Sequence, residues 1–423
     1  MLLLRRLRSY LSSSLWVLPA LIVLGAAGSA FGLLAIDRQL TKESSSVGYG
    51  GGPEGARQIL STISGAMITF TGLVFSITIL VLQLAGSQYS PRVLRRFFKD
   101  RSSQVALGVF IGAFVFSLVV LREVRQEGSA GVPGVSVAAA QLFVVVALGV
   151  FVQYLHHIAS AIRSSSIIES VALETRGAIE QRYPRDRTDV GVDPTDDLDP
   201  VQEVGAPRAG SLGRIDEGEL IELAREAGAI VEVVPAIGDF VPEGAPLLRV
   251  YGHTVEELEN PGRVGRLVEL ARERTSEQDP AFGFRQLVDI AERALSPGVN
   301  DPTTAVQAID QLHDLLRRLA RRPFPRRGRR DDDGTVRLVV REAAWEDYVD
   351  LAVSEIRVYG AGSLQAHRRL RAMIDDVWEV APEARRGPLA LQRRLLDAAA
   401  DRSFDDAADR ARARGADAQG MGA

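Results

Sequence analysis

The stretch ILSTISGAMITFTGLVFSITILVLQL, residues 59–84, decides the fold. It holds no charged side chain and exceeds the roughly 20 apolar residues that a helix needs to cross a bilayer. A helix satisfies its own backbone hydrogen bonds, so it is the form such a segment takes in lipid. Within it Thr62, Gly65, Thr69, Gly72 and Ser76 follow at alternating steps of three and four, and Gln83 continues the line. That spacing puts small and polar side chains on one helix face. Ser64, Thr71 and Thr78 form a second line, and Met67, Ile68, Phe70, Phe75, Ile79 and Leu82 make the remaining face oily. Two readings of the first line stand side by side. It is a packing face, because small residues let helix backbones approach and hydroxyls bond across them. Or it is the wall of a pore or substrate path, where polar side chains in membranes gather.

Three more stretches qualify as spans, at about Leu15–Ile36, Val105–Leu121 and Val135–Leu155. The first follows Arg5, Arg6 and Arg8. It is longer than a signal-peptide core and reads as an uncleaved membrane helix. Gly108 and Gly112 in the third, and Gly25/Ser29 and Gly28/Gly32 in the first, read as packing faces. No strongly charged residue lies mid-membrane, which argues against a proton relay or a voltage sensor. Gly50, Gly52 and Gly55 match the spacing of a dinucleotide fingerprint. No strand precedes them, so they read as a linker.

The loop after residue 84 carries Arg92, Arg95, Arg96, Lys99 and Arg101 against Asp100. Basic loops stay in the cytoplasm. Both termini, that loop and everything beyond the fourth helix are therefore expected there. The charge balance changes along the chain. Residues 1–155 carry 13 Lys and Arg against 6 Asp and Glu, and residues 156–423 carry 37 against 48. The absence of Cys excludes disulfides, thiolate metal sites, Cys nucleophiles and iron–sulfur clusters. Lys42 and Lys99 are the only lysines, which leaves no lysine for catalysis or cofactor attachment in the acidic part. The five His lack zinc spacing, and no metal or cofactor is expected. Acidic charge and few aromatics argue against nucleic-acid binding.

These patterns divide the chain into a four-helix transmembrane domain at 1–158, a helical extension at 159–183 and a linker at 184–209. A small β-rich domain at 210–260, an α+β domain at 261–400 and a disordered tail at 401–423 follow. The extension runs through His156, His157, Ile167, Ile168, Val171 and Ile179 to Arg182 as one rigid helix. The two His read as interfacial side chains or as a pH sensor. Strands at Ile230–Val234 and Leu247–Tyr251 flank Gly238-Asp239 and Glu243-Gly244 turns. This β element resembles the barrel-sandwich motif of lipoyl and biotinyl domains, without the attachment Lys. The basic run Arg317–Arg330 and Asp331–Asp333 read as a solvated loop. The expected fold is thus four transmembrane helices and then an α+β cytoplasmic region with a small barrel-sandwich-like element.

The sharpest local signature is SPGVNDPTTA, residues 296–305, between a helix at Phe284–Ala294 and one opening at Pro302. Asp301 suits an N-cap and Pro302 the first helical position. The signature reads as turn chemistry, or as an anion pocket at a helix N-terminus lined by Arg285, Arg293, Asn300, Asp301 and Thr304. Asp279 and Asp289 could pair for acid–base work. The chain has no nucleophile elbow, phosphate loop or zinc spacing, and an enzyme is not expected.

Residues 88–101 (QYSPRVLRRFFKDR), 152–159 (VQYLHHIA) and 296–305 together resemble the bacterial predicted membrane proteins called domain of unknown function 2254. The resemblance spans nearly the whole chain. It implies a polytopic membrane protein with a cytoplasmic tail and brings no functional residues; the expected location is the bacterial plasma (inner) membrane. The expected function is a homo-oligomeric channel or transporter with a cytoplasmic assembly or gating domain. The alternative is a membrane-anchored ligand sensor or scaffold. Expected partners are the lipid bilayer, further copies of the chain, and an ion or small anionic ligand.

Overall fold

A computed structural model describes residues 16–42, 48–88, 100–124, 132–161, 163–185, 198–275, 278–324 and 328–418. The chain divides into two compact units, residues 1–166 and 167–423. The first contains α1 (Val17–Lys42), α2 (Pro53–Gln88), α3 (Arg101–Glu123) and α4 (Gly134–Ala161). Each is long and apolar enough to cross a membrane. Half of the apolar stretch of α3 is buried, against about a fifth of the others, so α3 is the hub. It packs on α1, α2 and α4.

Missing side chains make α3 the hub. A Cβ on Gly108 would lie 2.8 Å from Ile22 Cδ1 and 3.0 Å from Pro19 Cα, and one on Gly112 would lie 3.2 Å from Ala26 Cβ. Here the small residues are a packing face, and the face belongs to α1. Phe70, Phe110 and Phe151 bring α2, α3 and α4 together, with ring centroids 5.0–6.2 Å apart. Polar bonds sit near the helix ends. The Asp37 carboxylate accepts from Val135 N and Ser136 N, both at 2.9 Å, and so caps α4 from α1. Asp100 caps α3 and also meets His157 Nε2 at 2.9 Å. His157 therefore ties the end of α4 to the start of α3.

The helix expected to run unbroken to Arg182 is divided. It ends at Ala161, and α5 (Ser164–Arg182) begins anew after the irregular Arg163. Ser164, Ser165 and Ser166 offer hydroxyls that compete with helix-interior bonds and favour a helix start.

The second unit continues in chain order with β1 (Gln202–Gly205), β2 (Gly210–Ile215), α6 (Glu217–Glu226), β3 (Ile230–Val233), β4 (Phe240–Val241) and β5 (Pro246–Tyr251). Next come α7 (Pro261–Leu267), β6 (Val268–Ala271), α8 (Pro280–Leu295), α9 (Pro302–Ala320), β7 (Gly328–Arg330) and β8 (Val336–Val340). The last elements are α10 (Trp345–Tyr359), α11 (Leu364–Val380), α12 (Arg386–Ser403) and α13 (Ala407–Arg414).

The strands form a five-stranded sheet, β1-β5-β3-β8-β7, and a three-stranded one, β4-β2-β6. Neither closes into a barrel among the described residues. The larger sheet reaches outside 210–260 for β1, β7 and β8, and β8 lies parallel to β3 with Val231 opposite Leu338. Leu212, Val231, Val233, Leu248, Val250 and Leu338 are buried in one shared core.

Helix α5 is packed within the second unit, apart from that sheet core. Ile167, Ile168, Val171, Ala172, Thr175 and Ile179 are buried. Thr175 fits only because residue 283 is glycine, since a Cβ there would fall 1.9 Å from Thr175 Oγ1. The run around Arg317–Arg330, expected as a solvated loop, contains a strand, and Arg329 is buried between Glu217 and Glu342. Its partners lie 112 and 13 residues away in the chain, beyond a local reading of charge. Within the stretch expected as a disordered tail, α13 forms with Asp406 as its N-cap; residues 419–423 lie outside the described residues.

Candidate functional site

The two polar lines of α2 go different ways. Thr62, Gly65, Thr69, Gly72, Ser76 and Gln83 are all exposed on the unit that contains them. A Cβ on Gly65 or Gly72 would meet nothing within 4 Å. The Thr62 and Thr69 hydroxyls donate back to Gln58 O and Gly65 O at 2.7 and 2.9 Å. They are therefore satisfied within the helix, at little cost in lipid. The second line turns inward. Ser64 is buried, and Thr78 Oγ1 lies 2.9 Å from the OH of the fully buried Tyr154.

The residues expected around an anion pocket are near one another in sequence but differently engaged. Arg285 is held by three carboxylates, Asp289 at 2.6 Å, Glu292 at 3.2 Å and Glu355. That leaves little positive charge for a ligand. Glu292 in turn is pushed up to about 7 by its burial and by the Glu355 carboxyl beside it. Asp301 caps α9, accepting from Thr304 N at 3.1 Å and from the Thr304 hydroxyl. Asn300 sits at φ 47°, the one positive φ outside glycine among the described residues, in the tight turn between α8 and α9. Arg293 lies on the last turn of α8. Asp279 and Asp289 are not brought together. Asp279 pairs with Arg274 and Asp289 with Arg285.

A cavity of the second unit lies elsewhere. It encloses about 310 Å³ beside Arg182, Tyr183, Arg274, Asp279, Glu342 and Tyr348. Behind it Arg182 and Arg329 each pair with both Glu217 and Glu342 in a closed ring; Arg182 Nη2 is 2.7 Å from Glu342 and Arg329 Nε is 3.0 Å from Glu217. Burial opposes charge on Glu217, but Arg182 and Arg329 outweigh it and hold its carboxyl below the ordinary value. Asp279 is 3% exposed and caps α8 through Phe282 N at 3.0 Å. Burial pushes its carboxyl up in spite of Arg274. The Tyr183 and Tyr348 hydroxyls lie 3.1 Å apart, both pushed up by burial. Gly238 lies between the lining residues Ile237 and Asp239 at φ 95°, and a Cβ there would strike the Arg274 guanidinium at 2.4 Å.

Sequence reading missed this cavity. Asp279-Pro280 has the same cap-and-proline form as Asp301-Pro302, and that signal was legible. Nothing local links it to Tyr183 or Glu342.

Four apolar helices and an appended mixed α/β unit define a polytopic membrane protein. The chain belongs to the family described as Predicted membrane protein (DUF2254), whose model matches residues 12–376. It is similar to Uncharacterized protein Rv1290c of Mycobacterium tuberculosis and Uncharacterized protein Mb1321c of Mycobacterium bovis. Each is 34% identical over 420 residues, covering 97% of this chain and 80% of the relative. No solved structure matches.

Proposed function

We propose that this membrane protein is a homo-oligomeric channel or transporter of the plasma membrane. Copies meet along the Thr62–Gln83 line of α2, which contributes a polar wall to the path. The termini and the second unit lie in the cytoplasm, where that unit assembles or gates the spans. The reading assigns no catalysis. One observation carries it. The line has the small-residue spacing of a helix contact, yet every member is exposed on its own four-helix unit.

The chain has no Cys, so a single introduced thiol reports cleanly. Thr69→Cys is expected to cross-link between copies in membranes, whereas Val145→Cys on the exposed face of α4 is not. Reconstituted protein is expected to pass discrete currents that change with Thr69→Leu. Flux untouched by Thr69→Leu in an active preparation would sink the pore wall.

The course of α5 favours a second reading, a membrane-anchored ligand sensor. The helix starts three residues after α4 ends, and its last residue, Arg182, lines the cavity. A ligand there would act on the end of the helix that follows the fourth span.

A further inference from the structure

The inner charges of the cavity hold one another. Asp279 is taken by Arg274 and by the first turn of α8. Glu342 is taken by Arg182 and Arg329. At the exposed side of the same cavity three charged groups keep capacity to spare. Arg341 makes no hydrogen bond or ion pair with the described residues. Asp239 uses only Oδ2, accepting from Ala236 N at 2.9 Å, and Asp347 only Oδ2, accepting from Ala344 N at 2.8 Å. Both Oδ1 atoms are without a partner among the described residues. Ile237 and Ala343 add apolar wall to the same cavity.

This set selects by charge type. A simple anion would gain Arg341 and face two carboxylates. A simple cation would gain the carboxylates and face Arg341. A molecule bearing both charges satisfies all three, with charge-assisted hydrogen bonds at each end. The volume is at the small end of the roughly 300–1,000 Å³ of ligand sites, which limits the ligand to a small metabolite. We propose that this cavity binds a small zwitterion of the amino-acid class, its carboxylate on Arg341 and its ammonium between Asp239 and Asp347. The site goes beyond the channel reading and stands whether or not the spans conduct.

Titration calorimetry on the full-length protein in detergent tests it. The probes are L-leucine, then each of the other common amino acids. For the strongest binder, two truncated analogues follow, one without the amine and one without the carboxylate; for leucine these are 4-methylpentanoate and 3-methylbutylamine. At least one amino acid is expected to bind saturably, and both analogues at least ~10-fold more weakly, the equivalent of about 1.4 kcal/mol. Arg341→Gln is expected to weaken binding by a similar factor without moving the melting temperature, since Arg341 holds nothing in the fold. Asp347→Asn keeps the acceptor for Ala344 N while removing the charge, and is expected to weaken the amino acid but not the amine-free analogue. Ile237→Trp, which fills the cavity, is expected to abolish binding. Saturation by no amino acid, equal binding of either truncated analogue, or indifference to both Arg341→Gln and Ile237→Trp overturns the proposal. The readout is heat of binding, so its failure leaves the flux test of the spans untouched.

Discussion

In the first unit, helices meet where side chains are missing; in the second, they meet where arginines find carboxylates. Gly108 and Gly112 let α1 lie against α3 at van der Waals distance. The second unit joins α9 to α11 through Arg369–Asp310, Arg317–Asp376 and a His313 whose Nε2 is 2.7 Å from Asp376. Arg369 Nη2 lies 2.9 Å from His313 Nδ1 and can only donate, so the imidazole proton sits on Nε2, toward Asp376. Arg371–Asp397 joins α11 to α12 in the same manner. The difference follows from the surroundings. Lipid tails give apolar helices no hydrophobic reason to associate, so close packing must do it. A charge stranded in hydrocarbon is expensive, whereas in an acidic, arginine-rich unit many guanidiniums have carboxylates in reach. The small residues of the α2 line, like Gly25, Gly28 and Gly32 of α1, differ from Gly108 and Gly112 in that a Cβ on their glycines would meet nothing among the described residues.

Breaking the ionic side should have the largest effect. Arg329→Met leaves Glu217 and Glu342 buried with one cation fewer, and removal of one partner from a buried pair costs about 3–5 kcal/mol. Denaturant titration, followed through the fluorescence of the buried Trp345, should show that loss. Arg329→Met combined with Glu217→Met should recover much of it, because Arg182–Glu342 then remains as a complete pair. A double variant no better than the single one would mean that the ring does not act as a unit.

The steric side should yield less and ignore salt. Gly108→Leu overpacks the α1–α3 contact, at about 1–3 kcal/mol, and thermal unfolding in detergent should fall equally at low and high ionic strength. Gly65→Leu and Gly72→Leu, made in the same way on α2, should leave the stability of the monomer undiminished. Equal losses at Gly65 and Gly108 would erase the contrast between the two glycine lines.

The smallest effect sharpens the ionic side. Glu292 titrates at about 7 in the folded protein, against an ordinary glutamate value of about 4.3 when unfolded. The folded state therefore holds this proton more tightly. The stabilisation is full below the unfolded value and is lost as pH rises toward and through 7. With partial solvent screening, about 1 kcal/mol should disappear between pH 5 and 8. Glu292→Gln, which keeps a permanent donor toward Glu355, should flatten that slope in melting temperatures measured across the range.

Local pattern carried much of this fold. The four spans announced themselves by unbroken apolar length, and Asp301-Pro302 marked the start of α9; the sequence pattern opens α8 only at Phe284, four residues after Pro280, where the helix begins behind its Asp279 cap. Strands β3 and β5 were visible as short apolar runs flanking glycine turns. Pairings across long separations were not. Val231 beside Leu338 depends on a hundred intervening residues, and no periodicity in either strand names the other. The ion ring was hidden for the same reason, since Arg329 looks like any member of a basic run until Glu217 is placed beside it. The α2 line was legible as a line, while its outward direction depends on α3 having taken the opposite face.

The seam between α5 and its partners has a consequence for biosynthesis. Arg176 of α5 bonds Asp314, which is 138 residues later in the chain. At about 5–20 residues per second, the ribosome needs on the order of ten seconds to deliver it. During that interval Ile167, Ile168, Val171 and Ile179 are made but not yet covered, immediately after the last membrane segment. The first helix of the second unit is thus made early and buried late, and the order of synthesis runs opposite to the order in which its contacts can close.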